Sequence, residues 1–245
     1  MRSPVVVLSA FLSFVATAAN VADAPIGVFD SGVGGLTVLE QLLTLDRVNN
    51  VTGMPGPDGV PDLQGESFVQ LADMANLHYG SYAAAGPDGV AFLRELSIRD
   101  AFFLLSDGYF RTAAERVPRG RKTPAKIIVI ACNTATAIAC ETLRRECCVP
   151  VIGVINAGAR SAASASESGI IGVIATEGTV KSEAYPTAIH RIRPEAVVIQ
   201  KACTKFVPLV EEGKCDTQEA RDAADEYLTE LCGKGIDTLV LGCTH

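Results

Sequence analysis

Two cysteines occupy the same kind of position in this sequence, and a cysteine thiol can give up and take back a proton. Cys132 follows an apolar run at residues 127–131, and Cys243 follows a second run at residues 238–241 and one glycine. Such runs predict buried parallel strands, so both thiols stand at strand carboxyl ends, where α/β proteins bind ligands. The helix predicted to start after Cys132 should favour its thiolate. We therefore expect two thiols that face one cleft.

A glycine-rich turn after a predicted strand at residues 26–29 is a third candidate for ligand contact. It begins with Asp30 and Ser31 and runs through Gly35 into an apolar-periodic helix. Two interpretations remain open. The backbone N–H groups of the turn could hold an anion, or Asp30 or Ser31 could cap the helix.

Two more turns after predicted strands carry polar groups. The turn after residues 68–72 contains Asp73, Asn76, His78, Tyr79 and Gly80, and the turn after residues 169–174 contains Thr176 and Thr179. A loop at the carboxyl end of a strand that carries such groups has the chemistry to contact a polar ligand. These turns therefore add hydroxyl, amide and carboxyl groups to the edge where the thiols are expected.

The elements that must position these groups alternate along the chain. Predicted strands at residues 26–29, 68–72, 127–131, 149–154, 169–174, 196–199 and 237–241 are separated by helical segments, one of them at 89–96 before an apolar run at 98–105. This alternation predicts an α/β protein with parallel sheets and right-handed crossovers, with a joint between two domains near residues 150–156. Residues 47–66 and 106–122 interrupt the pattern as surface excursions.

Composition excludes some classes of partner. The chain has 245 residues, a formal net charge of −7, a pI near 5.0 and a mean hydropathy of +0.27. Without a basic patch, nucleic acid and anionic membranes are not expected partners, and a small molecule is. The eight cysteines show no paired zinc spacing, so we expect no metal site and mostly reduced thiols.

The first 24 residues resemble a leader. Arg2 precedes an apolar run at residues 5–15, and Thr17 and Ala19 could flank a signal peptidase cut. The run is too short to span a membrane, so residues 1–24 predict export to the periplasm, although a misplaced start or a buried first strand are alternatives. Reduced catalytic thiols fit an oxidising compartment poorly. The compartment stays open.

Four segments of the sequence together resemble the glutamate racemase family, a group of cofactor-independent aspartate/glutamate racemases. They are FDSGVGGLTV at residues 29–38, ACNTAT at 131–136, IATEGT at 174–179 and LGCTH at 241–245. They occur in the family's order, and the resemblance covers most of residues 26–245. A chain that carries all four is identified as a member of this family.

This resemblance implies a fold and a reaction. It implies two pseudo-symmetric, doubly wound parallel-sheet domains, at residues 25–150 and 151–245, with the substrate in the cleft between them. It also implies L- and D-glutamate as substrates, D-glutamate as a supply for peptidoglycan, and no cofactor. Cys132 and Cys243 would act on opposite faces of the α-carbon, because a single base returns the proton to the face that it left. A cytoplasmic enzyme is implied, in contrast to the leader.

The resemblance also implies roles for individual residues. Asp30 and His245 would assist the two thiols. The residues expected to contact the substrate are Asp30, Ser31, Tyr79, Gly80, Asn133, Thr134, Thr176, Thr179, Thr244 and His245. The physical logic agrees, since hydroxyls and N–H groups aimed at the substrate carboxylate stabilise the charge that builds there.

The sequence departs from the family pattern in places. His78 stands where the family has proline, Ala157 stands within the family's Asn-Pro-Gly, and the two excursions are longer than the family's loops. The family continues past its Gly-Cys-Thr-His motif with elements that complete the first domain, so we expect that domain to lack its returning segment. From this we expect weak activity or low stability.

Three other functions are kept as alternatives. The chain could be a racemase for aspartate or another acidic substrate, or a non-catalytic exported protein that binds an amino acid. A zinc site at Cys243 and His245 is remote because two side chains supply too few ligands. The oligomeric state is open, with a homodimer as one alternative.

Overall fold

The computed structural model describes residues 21–76, 78–109 and 120–245. Residues 1–20 of the expected leader, Leu77 and residues 110–119 of the second excursion lie outside the described residues, and the end of the leader forms a 3-10 turn at Val21–Asp23. Within the described ranges, no helix has both the length and the apolar character needed to cross a bilayer.

The described residues form an alternating series of strands and helices. The strands are β1 (Ile26–Asp30), β2 (Phe68–Ala72), β3 (Gly108–Tyr109), β4 (Gly120–Arg121), β5 (Ile127–Ile130), β6 (Val151–Gly153), β7 (Ile170–Ala175), β8 (Val197–Ala202) and β9 (Thr238–Gly242). The helices are α1 (Gly35–Thr44), α2 (Tyr79–Ala84), α3 (Pro87–Leu105), α4 (Asn133–Glu146), α5 (Val154–Ala165), α6 (Glu177–Lys181), α7 (Ala184–His190), α8 (Phe206–Glu211) and α9 (Gln218–Cys232).

The strands build two separate parallel sheets. The first has the order β2-β1-β5-β6 and the second has the order β8-β7-β9, while β3 and β4 form a small antiparallel pair. The central strands β1 and β7 are almost wholly buried, as expected for strands covered by helices on both faces. The expected α/β architecture is thereby confirmed.

The first sheet ends and the second unit begins within residues 150–156, the range expected for the joint. Residues 151–153 were assigned to the second domain, but β6 pairs in parallel with β5 and so completes the first sheet. The second unit begins at Val154 with α5. The sequence predicted a strand here, but it held no signal for which sheet the strand would join.

Helix α3 is longer than predicted. The sequence indicated a helix at residues 89–96 and a separate apolar run at 98–105, but the helix continues to Leu105. Leu93, Leu96, Ala101 and Leu104 are all buried on one helical stripe, which packs on the first sheet. Asp100 lies in the same buried stripe.

The first excursion is an exposed loop, as predicted, and its turns are held by carboxylates. Asp62 accepts hydrogen bonds from the N–H groups of Arg47 and Val48, and Asp46 accepts those of Asp58 and Gly59. These bonds order the loop locally, and none of them reaches the ends of the central strands.

Candidate active site

Cys132 lies at the end of β5 and caps the first turn of α4. Its Sγ accepts a hydrogen bond from the N–H of Ala135 at 3.4 Å and lies 3.5 Å from the hydroxyl of Ser31. Burial, and after it the charge of Asp30, raise the pKa of this thiol to about 12, although the two hydrogen bonds lower it in part. The prediction that the helix start would favour the thiolate is therefore wrong for Cys132, because burial outweighs the helix.

Asp30 is the buried carboxylate at the end of β1. Its Oδ2 accepts a hydrogen bond from the N–H of Gly35 at 2.9 Å and lies 3.5 Å from the hydroxyl of Thr244. Burial raises the pKa of Asp30, and the Gly35 hydrogen bond lowers it in part. Among the described residues, Oδ1 has no hydrogen-bond partner. Of the two interpretations of this turn, the structure favours the helix cap, since the side chain of Asp30 itself takes the first N–H of α1.

The glycine-rich turn packs directly against the last residues of the second sheet. A Cβ atom on Gly34 would lie 2.5 Å from Oγ1 of Thr244, and one on Gly32 would lie 2.8 Å from Oε1 of Glu211. A larger residue at either position would push these elements apart. The glycines therefore allow the strand ends of the two sheets to meet.

Cys243 follows β9 and lies beside an imidazole. Its Sγ accepts a hydrogen bond from the N–H of His245 at 3.5 Å and lies 3.9 Å from Nδ1 of the same residue. The Nε2 of His245 lies 2.6 Å from Oε1 of Glu211. Burial lowers the pKa of His245, but hydrogen bonds with Cys243 and Glu211 overcome this effect and raise it to about 9. His245 is therefore a cation at neutral pH.

Three threonine hydroxyls form a cluster where the two sheets meet. Thr134 of α4 lies 2.9 Å from Thr176 and 3.3 Å from Thr179, and Thr176 lies 3.1 Å from Thr179, measured between the hydroxyl oxygens. Thr176 also caps α6 by accepting the N–H of Thr179. The structure thus brings these three predicted site residues together from both domains.

Asn133 is tied to the second sheet by a tyrosine. The hydroxyl of Tyr185 on α7 donates to Oδ1 of Asn133 at 2.7 Å, and both side chains are buried. This bond fixes the amide so that its NH₂ group remains as a donor. Tyr185 was not among the residues predicted from the sequence.

The predicted contact residues Tyr79 and Gly80 behave differently. The ring of Tyr79 is fully buried, and its hydroxyl lies against Asp73 and Asp100 in the first domain. Its side chain therefore faces the core of the first domain. The main chain of Tyr79 is the part of the residue that remains for the predicted contact with substrate. At Gly80, a Cβ atom would lie 3.1 Å from Thr176, so this loop reaches the threonine cluster.

A cavity of about 750 Å³ opens at the junction of the two sheets. The residues that line it include Ala131, Asn133, Thr176, Tyr185, Cys243, Thr244 and His245. Cys132 lies between two of these residues in the chain, and the charge of Cys243 contributes to the raised pKa of its thiol. Both thiols therefore stand at the junction of the two sheets. The volume is ample for a small molecule.

The other cysteines fit the predicted reduced state. All eight are free thiols. Cys203, predicted to be only a small buried residue, is buried but borders the cavity of about 750 Å³ and a neighbouring one of about 180 Å³ that includes Gly80 and Thr176. The register places the residues before Cys203 and Cys243 on either side of Ala175. At the usual strand spacing the Cα atoms of Ala202 and Gly242 are about 10 Å apart.

Glu211 is the functional candidate that sequence reasoning missed. It ends α8, which was predicted only as a helix, and it contacts the residue 34 positions further along the chain. No local pattern identifies that partner. The sequence indicates only that the helix containing Glu211 follows a strand, β8, whose carboxyl end borders the cleft.

With this geometry established, the comparisons with known proteins decide the family. The family model described as Asp/Glu/Hydantoin racemase matches residues 76–245. This chain belongs to that family. The resemblance drawn from four motifs is confirmed, and with it the assignment of this racemase to the cofactor-independent amino-acid racemases.

Individual relatives support the same conclusion. The racemase is 41% identical over 220 residues to the glutamate racemase of Geobacter metallireducens, a match that covers 90% of this chain and 67% of the relative. It resembles the crystal structure of a glutamate racemase from Bacillus anthracis with a TM-score of 0.71 and 32% identity, covering 91% of this chain and 69% of that one. A glutamate racemase from Francisella tularensis, solved with D-glutamate, gives a TM-score of 0.65 and 30% identity, with coverage of 91% and 69%. The racemase thus spans about two thirds of the length of these relatives.

Proposed function

We propose that this racemase interconverts L- and D-glutamate by transferring a proton between its two thiols and the α-carbon of the substrate. The observation that carries the proposal is the placement of two cysteines, Cys132 and Cys243, at strand ends of different sheets beside one cavity. The relatives support glutamate as the substrate, since they are named glutamate racemases and one was solved with D-glutamate.

Two opposed thiols are what inversion requires. One sulfur, as thiolate, takes the α-proton, and the electron pair of the broken C–H bond moves into the carboxylate. The opposite sulfur, as thiol, then gives its proton to the other face of the carbon. The product has the opposite configuration, and the two sulfurs have exchanged protonation states. Proton exchange with solvent resets them.

The surroundings of the two sulfurs differ, and this sets which one starts as the base. The raised pKa of Cys132 keeps it as a thiol at neutral pH. Cys243 is less buried than Cys132, and its sulfur lies 3.9 Å from Nδ1 of His245, close enough to exchange a proton with the imidazole. We therefore assign Cys243 as the base and Cys132 as the acid of the unliganded state.

The remaining groups divide between the charged ends of glutamate. The hydroxyls of Thr134, Thr176 and Thr179 and the free NH₂ of Asn133 supply donors for a carboxylate. The unpaired Oδ1 of Asp30 supplies an acceptor for the ammonium group. Because these donors are fixed by bonds between the domains, they can stabilise the charge that develops on the carboxylate without reorganisation. The D-glutamate formed would supply peptidoglycan synthesis.

Deuterium exchange tests the proposal. Incubation of L-glutamate with the protein in heavy water should place deuterium at the α-carbon and produce D-glutamate, measured by NMR and circular dichroism. Cys132→Ser and Cys243→Ser should each lose about 10²- to 10⁴-fold in racemisation, the range for removal of a catalytic acid or base. Cys215→Ser, which changes an exposed thiol outside the junction, is the matched control.

Three results would overturn the proposal in distinguishable ways. Full activity in Cys132→Ser would end the two-thiol mechanism. Exchange with aspartate but not glutamate would reassign the substrate. Calorimetric binding of glutamate without any exchange would indicate a non-catalytic binding protein.

A further inference from the structure

Asp100 is a buried carboxyl group on α3, and Tyr79 links it by hydrogen bonds to Asp73 in the loop after β2. The hydroxyl of Tyr79 lies 2.6 Å from Oδ2 of Asp100 and 2.8 Å from Oδ2 of Asp73. Tyr79 is fully buried and Asp100 is 9% exposed, so water cannot mediate freely between them. The described family motifs and the two-thiol mechanism leave Asp100 without a role.

The number of protons in this cluster follows from its geometry. A tyrosine hydroxyl carries one proton and can donate to only one carboxylate. At 2.6 Å and 2.8 Å the second carboxyl oxygen must itself carry a proton and donate to the tyrosine oxygen, since two unshared lone pairs at that distance would repel. Two protons are therefore shared among the three groups.

The surroundings decide which carboxyl group is protonated. The amide of Asn76 donates to both oxygens of Asp73, which stabilises the negative charge there. Burial and the charge of Asp73 raise the pKa of Asp100 to about 7, even against the lowering that a hydrogen bond from Tyr79 to the ionised carboxylate produces. The titratable groups that act on Asp100 are thus Tyr79 from α2 and Asp73 from the loop after β2. Asp100 holds the proton, and the hydrogen bonds run from Asp100 to Tyr79 to Asp73.

Two members of this chain of hydrogen bonds, Asp73 and Tyr79, are connected to the candidate active site. Asp73 donates its N–H to the carbonyl of Asp30 at 3.0 Å. Tyr79 immediately precedes Gly80, whose backbone approaches Thr176 of the second domain. The cluster therefore sets where the loop at residues 78–80 stands relative to the threonine hydroxyls.

We propose that Asp100 is a positioning residue, which in its protonated form donates to Tyr79 and thereby holds the loop at residues 78–80 where its main chain meets a substrate carboxylate. This rests on the proposed function. Asp100 does not touch the substrate and acts through Tyr79. Loss of its proton places two negative carboxylates on one hydroxyl and releases the loop.

Two substitutions at this position separate positioning from packing. Asp100→Asn keeps the volume and an uncharged donor for Tyr79, and Asp100→Leu places a larger apolar side chain there and removes the donor. We expect Asp100→Leu to raise the Kd for D-glutamate, measured by calorimetry, and the KM by about five- to tenfold, the effect of losing one hydrogen bond, with kcat within about twofold. Asp100→Asn should retain binding. Asp88→Asn, an exposed carboxylate on the same helix, is the matched control.

The dependence of KM on pH distinguishes positioning from packing, because a purely structural role of Asp100 would leave that dependence unchanged. In the unchanged protein KM should rise between about pH 6 and pH 8.5 as Asp100 loses its proton, because its pKa is about 7. In Asp100→Asn this rise should be absent. The thiols and His245 are common to both proteins, so their titration cancels in the comparison.

The possible outcomes are distinct. Equal KM and Kd for Asp100→Leu and the unchanged protein would overturn the inference, as would a fall in thermal midpoint with no change in either constant. A parallel rise of KM with pH in Asp100→Asn would also overturn it. Absence of exchange in the unchanged protein would instead count against the proposed function, while the calorimetric comparison would still test Asp100.

Discussion

Glu211 contacts His245, and His245 in turn lies beside the sulfur of Cys243. The side chain of His245 is 3% exposed and that of Glu211 is 16% exposed, so solvent screens their interaction weakly. Burial opposes a charged imidazole, but its bonds with Cys243 and Glu211 dominate and hold its pKa near 9. An imidazolium therefore lies beside the sulfur of Cys243 up to mildly alkaline pH.

Replacement of Glu211 by glutamine should narrow the pH range of activity. Glutamine removes the negative charge, so the pKa of His245 falls and the imidazolium is lost at lower pH. We expect racemisation at pH 8 to fall by about tenfold or more and its alkaline limit to move to lower pH, measured as kcat/KM against pH.

Glu212→Gln is the control for this substitution, since Glu212 is the next residue and its exposed side chain pairs with Lys214. It should leave the profile unchanged. An identical alkaline limit in Glu211→Gln and the unchanged protein would contradict the role of this pair.

At the scale of elements, the contact of α2 with α6 joins the substrate loop to the threonine cluster. Gly178 of α6 packs on Ala83 of α2 so closely that a Cβ atom on the glycine would lie 2.2 Å from Cβ of Ala83. Thr176 and Thr179 lie on either side of Gly178. Any separation of the two helices would therefore move these hydroxyls.

Gly178→Ala should accordingly weaken substrate binding and stability together. The added methyl group has no room, and overpacking of this kind costs about 1–3 kcal/mol. We expect a lower free energy of unfolding by chemical denaturation and a KM for glutamate raised by several-fold. Gly65→Ala is the control, because a Cβ atom there meets nothing within 4 Å. Equal KM values in the two variants would refute the coupling.

Some of these elements follow directly from the sequence, and others do not. The strand ends at Cys132, Thr176 and Cys243 were predictable because apolar runs that stop at polar residues mark parallel strands, and parallel strands share one edge. Asp100 was hidden because one carboxyl group in an apolar run gives no sign of its partner. Glu211 was hidden because its partner comes from another strand end, and that pairing depends on how the sheets are placed.

The same distinction holds for the thiol chemistry. Position at a helix start was readable from the residues around Cys132, but the extent of its burial was not. Burial depends on the packing of β1, α3 and α4 around it, which only the folded chain specifies. The predicted direction of the pKa shift was wrong for that reason.

At the scale of the whole molecule, hydrogen bonds between side chains join the two sheets. The hydroxyl of Tyr185 on α7 donates a hydrogen bond to Asn133 on α4. The hydroxyl of Thr134 on α4 lies within hydrogen-bond distance of the hydroxyls of Thr176 and Thr179. These contacts lie at the cleft, so the relative position of the domains and the geometry of the site are set by the same bonds. A substitution that shifts the domains relative to each other should therefore also change the geometry of the site.

Tyr185→Phe should test that coupling. It removes one hydroxyl and leaves the buried Oδ1 of Asn133 without its donor, which costs about 1–3 kcal/mol. We expect a lower thermal midpoint by calorimetry and a reduced kcat/KM, because the amide of Asn133 is no longer held. Tyr109→Phe, at an exposed ring, should change neither. Retention of both quantities in Tyr185→Phe would show that other contacts fix the domains.

The unequal surroundings of the two sulfurs also bear on covalent inhibition. An electrophile reacts with a thiolate that it can reach, and at neutral pH the anionic form is scarce at the buried Cys132, while Cys243 is more exposed and lies beside the imidazole of His245. A warhead carried on an amino-acid scaffold should therefore be captured first by the sulfur of the second sheet. Peptide mass spectrometry after brief treatment should find the adduct on the peptide that contains Cys243 before the one that contains Cys132. A more reactive electrophile should therefore do little to improve an inhibitor that is aimed at Cys132.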